Sequence, residues 1–362
     1  MEKNAKIYVA GNIGMVGSAI CRNLQSQGFN NLLIRDYPDL DLINQDSANR
    51  FFETEKPEYV FMAAAKVGGI VANNTYRAQF IYENLMIQNN VIHQSYRNGV
   101  KKLVFLGSTC IYPREAIQPM TEAELLTAPL EYTNEPYAIA KIAGIKMCES
   151  YNLQYGTDFI AVMPTNLYGP NDNFNLETSH VLPAMIRKIH LGKCLENNDM
   201  QAIKLDLDKR PIERIDGKSP ENAILSVLEK YGVKRLLNNK IQIEIWGTGN
   251  PRREFLWSEE MADSTVYIME RVSFSDIVAG ITGKEIRNTH INVGTGKDIS
   301  IKEIAYLVKE KIGFAGELWF NTEKPDGSMK KLTDVSKLHS LGWSHKIEVD
   351  EGVERIYNWY KG

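Results

Sequence analysis

Four cysteines in 362 residues, Cys21, Cys110, Cys148 and Cys194, are too few and too scattered for a disulfide framework, and none has the CxxC spacing of a zinc site. That pattern points to reduced thiols in a cytoplasm and to no metal centre. No stretch approaches about 18 uninterrupted apolar residues, so no membrane span is expected. The opening MEKNAKIYVAG is expected not to act as a signal peptide, because Gly11 interrupts its short apolar run. An excess of charge of one sign is lacking too: Lys and Arg total 42 against 45 for Asp and Glu, a formal net charge of -3. Such a balance supplies no field for holding nucleic acid or an anionic membrane, so any phosphate on a ligand must be held locally. Internal repeats and low-complexity tracts are also missing.

What is present is enough apolar material, 43% of the chain, to bury a full core. KIYVAG (6–11), NLLIRD (31–36), YVFMAAA (59–65), KLVFLGS (102–108) and FIAVMPTNLYG (159–169) read as nearly continuous apolar strands, as parallel strands buried on both faces do. Helix-length segments such as VGSAICRNLQSQG and EPYAIAKIAGIKMCESYNLQYG separate them. Strand and helix in alternation predict an α/β fold with a doubly wound parallel sheet. After residue 170 the pattern becomes irregular, with a helix near 181–192, a charge-rich tract over 195–240, a strand at IQIEIWG (241–247) and a helix in ISIKEIAYLVKEKIG (299–313). The expected division is a nucleotide-binding domain over 1–170, rejoined by about 241–270, and a smaller mixed substrate domain over 171–240 and 271–362, with an insertion at about 195–240.

KIYVAGNIGMVGSAI places Gly11, Gly14 and Gly17 after the first strand and at the start of the first helix. Glycines there serve a tight turn, close approach of backbone to a pyrophosphate and close packing of helix on strand, the Rossmann dinucleotide pattern. At the end of the second strand an acidic residue would bind a ribose 2'-hydroxyl and a basic one a 2'-phosphate. Arg35 favours NADP, and Asp36 beside it leaves NAD open.

Tyr137 and Lys141, in EPYAIAKIAG, are four apart on a predicted helix and share a face. A phenol has a pKa near 10, and a neighbouring ammonium would lower it toward neutral pH, which suits proton transfer to a hydroxyl or carbonyl. Ser108 ends the strand before this helix, where ligands of open α/β sheets bind, and can hydrogen-bond the same substrate oxygen. Glycine loop, strand-end serine and Tyr-x-x-x-Lys in this order resemble the extended short-chain dehydrogenase/reductase superfamily.

At finer grain, AAAKVGGIVANNTYRAQFIYENLMIQNNVI, LGSTCIYP, MPTNLYGPNDNF, SHVLPAMIRK, PRREFL, INVGTGKDISIKEIA and KPDG all look like the GDP-L-fucose synthase family. That resemblance implies epimerisation at C3 and C5 of a GDP-4-keto-sugar, followed by reduction at C4 with NADPH. It makes Cys110 the base and His180 the acid of epimerisation; a thiol near pKa 8.5 and an imidazole near 6.5 both change state close to neutral pH. Ser108, Tyr137 and Lys141 would serve the reduction. The cofactor would be held by Gly11, Gly14, Met15, Val16, Gly17, Arg35, Ala64, Lys141, Pro164, Asn166, Leu167 and His180. The GDP moiety would be held by Asn166, Val181, Lys188, Trp246, Arg253 and Lys324, with Lys188 and Arg253 facing the pyrophosphate and Trp246 either stacking on a base or filling core. Thr109 and Cys110 stand where a 4,6-dehydratase carries an Asp-Glu pair. The resemblance further implies a homodimer that pairs the helices near 76–98 and 136–155.

Three departures accompany it. Ile13 and Tyr37 stand where the family usually has basic residues, Arg252 adds a charge beside Arg253, and the tract from about Leu195 to Lys240 is longer than the family pattern. The insertion would either recognise a different sugar, such as a 4-keto-heptose, or form a peripheral or subunit-contact subdomain. The alternative function is a C4 reductase that no longer epimerises.

Overall fold

The computed structural model describes residues 1–362, apart from the side chains of Ile70 and Val71. The chain forms two units, one of Met1–Asn171, Glu254–Lys297 and Leu332–Ile347, the other of Asp172–Arg253, Asp298–Lys331 and Glu348–Gly362.

The first unit is built on a six-stranded sheet in the order Ile291–Val293, Phe159–Pro164, Lys102–Leu106, Tyr59–Met62, Ile7–Ala10, Leu32–Leu33, with every pairing parallel. Side chains alternate between the faces of a strand. Ile7 and Val9 accordingly enter one core with Ile20, Val104, Ile160 and Met261, while Tyr8 and Ala10 enter another with Phe52, Val60, Phe105 and Ile142. Both faces being covered by helices, the strands must be apolar at every position, which is why they read as unbroken runs.

The second unit has a three-stranded sheet in which Ile241–Trp246 lies between Glu317–Asn321, paired parallel, and Val233–Arg235, paired antiparallel. Helix Ile301–Ile312 begins with a capping box, Ser300 accepting from Glu303 N while the Glu303 side chain accepts from Ser300 N. The insertion folds as helices Met200–Lys209 and Glu221–Lys230 followed by the edge strand Val233–Arg235. Its Asp206 is buried against Arg187, whose Nε and Nη2 lie 3.0 and 2.9 Å from Oδ1. Arg187 also donates to the carbonyls of Phe174 and Arg210, and the Tyr360 hydroxyl donates to Asp206. The tract is therefore tied into the core of its unit by ionic bonds.

Three stretches fall in the other unit from the one expected. Residues 241–253 belong to the second unit, because Ile241–Trp246 takes its parallel partner from Glu317–Asn321. Residues 271–297 and 332–347 belong to the first, because Ile291–Val293 extends the large sheet beside Phe159–Pro164, and Leu338 and Trp343 enter its core. Both returning segments are short, and a strand of three residues leaves little periodicity to read.

Among the described residues no helix is long and apolar enough to cross a membrane, and no group of three or more His, Cys, Asp or Glu could hold a metal ion.

Fully buried Glu254 holds the returning segments of the first unit together. Its Oε1 accepts from the backbone N–H groups of Thr295 (2.6 Å) and Gly296 (2.8 Å), and its Oε2 from the backbone N–H (2.9 Å) and hydroxyl (2.6 Å) of Thr333. Truncation leaves the donors of buried Thr295 and Thr333 without a partner. Glu254→Ala is expected to lower unfolding stability by about 2–4 kcal/mol, and Glu254→Gln, which keeps one acceptor, by less. Urea denaturation measures both, and a loss under about 1 kcal/mol for the alanine variant would show that the anchor is not needed.

Candidate active site

Residues predicted to bind the cofactor come to the carboxyl edge of the first unit's sheet. Gly11, Ala64, Ser108 and Pro164 stand at the ends of four adjacent parallel strands, the edge at which open α/β sheets hold ligands. Gly11 has φ +82°, and a Cβ on it would lie 2.8 Å from Ala64 N; a Cβ on Gly17 would lie 2.1 Å from Gly11 O. Only glycines permit this approach. Helix Met15–Ser26 starts at Gly14 with no side-chain cap and no acidic residue in its first turn, so its leading N–H groups and dipole are left for an anion. Val16 and Leu167 pack against the core beneath, Asn171 Nδ2 donates to Ser18 Oγ (3.1 Å), and Asn166 Nδ2 donates to Glu254 O (2.9 Å). These residues fit the pyrophosphate of a dinucleotide.

Arg35, the expected 2'-phosphate ligand, is exposed and paired within the protein. Its Nη2 lies 2.6 Å from Glu55 Oε1 and its Nη1 donates to Ile34 O (2.8 Å). Asp36 is the residue joined to the glycine loop, accepting from Asn12 Nδ2 at 2.8 Å.

Ser108, Cys110, Tyr137 and Lys141 are brought together at the end of strand Lys102–Leu106. Lys141 is buried and donates to Leu106 O at 2.8 Å, and its Nζ lies 5.7 Å from the centre of the Tyr137 ring. Ser108 starts the short turn Thr109–Ile111, its hydroxyl accepting from Cys110 N at 3.4 Å. Cys110 is buried and acts electrostatically on both Tyr137 and Lys141. Burial lowers the Lys141 ammonium to about 8, with the Cys110 charge opposing the fall. For the half-buried Tyr137, desolvation raises the phenol well above its ordinary value, helped by Cys110. The expected lowering by the neighbouring ammonium is outweighed, because Lys141 points to the Leu106 carbonyl and the phenol lies in a poorly polar setting. A raised pKa keeps the phenol protonated, which suits a proton donor.

The remaining predicted residues lie in the second unit. His180 precedes helix Val181–Glu196, is exposed, and makes no side-chain capping bond; Val181 is exposed beside it. Trp246 is 61% exposed at the end of its strand, which excludes a core role, and Lys324 Nζ lies 5.2 Å from its ring centre. Lys188 Nζ donates to Glu244 O at 3.3 Å on the same strand. The loops after the two parallel strands are locked together, Thr248 N and Oγ1 donating to the Asp326 carboxylate at 2.9 and 2.7 Å. Arg253 reaches that junction, its Nη2 standing 3.0 Å from where a Cβ on Gly327 would be. Burial lowers the Lys188 ammonium and the Arg253 guanidinium, with Glu244 and Asp326 respectively opposing it. Arg252 is structural: it pairs with Asp298 at 2.6 Å and Glu303 at 3.3 Å.

Sequence reasoning passed over Asp172, whose carboxyl burial raises to about 7 and whose Oδ2 is buried without a partner. In GPNDNF it reads as a turn residue, and no signal in that motif separates the two roles.

The model of the NAD dependent epimerase/dehydratase family matches residues 7–206 and 216–294. A curated relative, the putative GDP-L-fucose synthase 2 of Arabidopsis thaliana, is 50% identical over 360 residues, covering 99% of this chain and 93% of its own. Among solved structures, a GDP-6-OMe-4-keto-L-xylo-heptose reductase from C. jejuni is 48% identical with a TM-score of 0.91, covering 100% of this chain and 99% of its own. The GDP-mannoheptose C4 reductase from Campylobacter jejuni with NADP bound is 47% identical with a TM-score of 0.87, covering 100% of each chain. With identity at this level running nearly end to end, the chain belongs to the NAD dependent epimerase/dehydratase family, within its GDP-L-fucose synthase group.

Proposed function

We propose that this chain is a cytoplasmic enzyme that epimerises C3 and C5 of a GDP-4-keto-sugar and reduces its C4 ketone with NADPH, as GDP-L-fucose synthases do. The observation that carries this reading is the convergence of Ser108, Cys110, Tyr137 and Lys141 on one strand end, on the sheet edge that also bears the glycine loop. When bound, the nicotinamide supplies hydride for C4. Tyr137 gives its proton to the C4 oxygen, Ser108 donates a hydrogen bond to that oxygen, and the Lys141 ammonium offsets the phenolate left behind. Before reduction the protons at C3 and C5 are acidic because their carbanions delocalise into the ketone; Cys110 removes them and His180 returns a proton to the opposite face. Lys188, Arg253 and Lys324 are the cations for the GDP phosphates, and Trp246 is the stacking surface for the base.

A second reading, reduction at C4 of a GDP-4-keto-heptose without epimerisation, is favoured by the two Campylobacter heptose enzymes, which match this chain from end to end. Both readings keep the chemistry of Tyr137 and differ at Cys110 and His180.

Subunits are paired through helices Arg77–Arg97 and Glu135–Tyr155, where Tyr82, Ile139, Leu153 and Tyr155 are exposed. Analytical ultracentrifugation is expected to give twice the chain mass, and a monomer at micromolar concentration would remove the pairing.

Incubation with a GDP-4-keto-sugar in heavy water, with and without NADPH, separates the steps. Tyr137→Phe is expected to lose NADPH oxidation by about 10²–10⁴-fold while keeping deuterium exchange at C3 and C5, and Cys110→Ser to lose the exchange. Wild-type reduction without any exchange would transfer the chain to the heptose-reductase reading, and full activity of Tyr137→Phe would sink both. Because Lys141 must be charged to offset the phenolate and its ammonium is lowered to about 8, kcat/KM is expected to fall as pH rises through about 8. The falling limb moves upward in Lys141→Arg; an unchanged limb would assign the titration to another group.

A further inference from the structure

We propose that Asp36, rather than a dedicated cation, reads the adenosine ribose of the dinucleotide in this chain, so that NADH binds about as tightly as NADPH and serves as a second hydride donor. This rests on the dinucleotide reading above and concerns its adenosine end alone.

Asp36 follows the second strand of the sheet, where an acidic side chain accepts from a ribose 2'-hydroxyl. It is exposed, and Asn12 of the glycine loop holds it with a 2.8 Å hydrogen bond to one carboxylate oxygen. Asn12 is only 8% exposed, and its own Oδ1 is buried with no partner, a polar atom in the loop that the protein leaves unsatisfied. Loop and carboxylate are thus joined into one polar seat.

The surroundings are poor in positive charge. Between residues 31 and 50 the cations are Arg35 and Arg50, against Asp36, Asp39, Asp41 and Asp46. Arg35 is committed to Glu55 at 2.6 Å. The neighbours of Asn12 and Asp36 in sequence, Ile13 and Tyr37, are 68% and 78% exposed and carry no charge. A 2'-phosphate brought here meets the Asp36 carboxylate, and like charges repel. A 2'-hydroxyl instead donates to it in a charge-assisted bond. NADPH is not shut out, because the Arg35–Glu55 pair is partly exposed, 40% on the arginine and 24% on the glutamate, and such pairs are weak enough for a phosphate to draw the guanidinium away. With NADH bound, the nicotinamide would supply the hydride and Tyr137 the proton, as with NADPH.

Titration of NADH and of NADPH into the protein, followed by nicotinamide fluorescence, gives the two dissociation constants without turnover. The wild-type values are expected to agree within about tenfold, and Asp36→Asn to shift the preference toward NADPH by about tenfold, the worth of one charge-assisted hydrogen bond. Tyr37→Arg, a change at an exposed position that spares the fold, is expected to shift it the same way. A wild-type preference for NADPH beyond tenfold, or a ratio unmoved in Asp36→Asn, overturns the proposal while leaving the dinucleotide site intact. Binding of neither cofactor overturns both.

Discussion

The 2.8 Å hydrogen bond from the buried Lys141 ammonium to the Leu106 carbonyl sets the geometry of the chemistry. It joins the helix that carries Tyr137 to the strand end that carries Ser108 and Cys110, so the phenol, hydroxyl and thiol share one small volume. The joint is unfavourable in the free protein, since a cation with one neutral acceptor in a desolvated place loses hydration, and its pKa falls to about 8. The Coulombic effect of Cys110 recovers part of that loss. In the proposed reduction a phenolate on Tyr137 would be offset by that ammonium, against the desolvation that keeps the resting phenol protonated.

Such a site depends on a stiff platform. Six parallel strands covered on both faces supply it, and Gly11, Ala64, Ser108 and Pro164 mark successive strand ends along one edge. These elements were legible in the sequence because burial on both faces forces unbroken apolar runs, and because the glycines at 11 and 17 stand where no Cβ fits. That Ser108, Tyr137 and Lys141 come to one strand end was legible from order and spacing. Harder to read were features that depend on which partner a side chain takes. Arg35 and Asp36 are adjacent in sequence, and only the placement of Glu55 and Asn12 shows that the first is engaged elsewhere and the second faces the loop. The direction of the Tyr137 shift was misjudged for the same reason: helical spacing brings the ammonium near, but Leu106 decides where it points.

Boundaries between the units were the other obscure point. Strand Ile291–Val293 is three residues long, and its membership of the large sheet is decided by register with Val162–Pro164, a non-local pairing that leaves no local periodicity. Glu254 shows the same non-locality. In PRREFL it reads as one more strand charge, yet its carboxylate is the common acceptor for two distant loops.

The insertion shows how a surface-like sequence becomes interior. LDLDKR alternates leucine with charge within a charge-rich tract, but Asp206 lies against wholly buried Arg187, with Tyr360 and the Phe174 and Arg210 carbonyls completing the shell. A buried arginine is tolerable only when its donors are met, and a buried aspartate only when its charge is balanced, so helix Met200–Lys209 and helix Val181–Glu196 each supply what the other lacks. Removing either partner strands the other, which fixes the axial position of Val181–Glu196 against its neighbours. That helix carries Lys188 one residue beyond Arg187 and starts at His180, so the ion pair sets where the cation meets the Trp246 strand and where the imidazole stands. The extra residues of this chain thereby act on Lys188 and on the start of Val181–Glu196 through a shared helix.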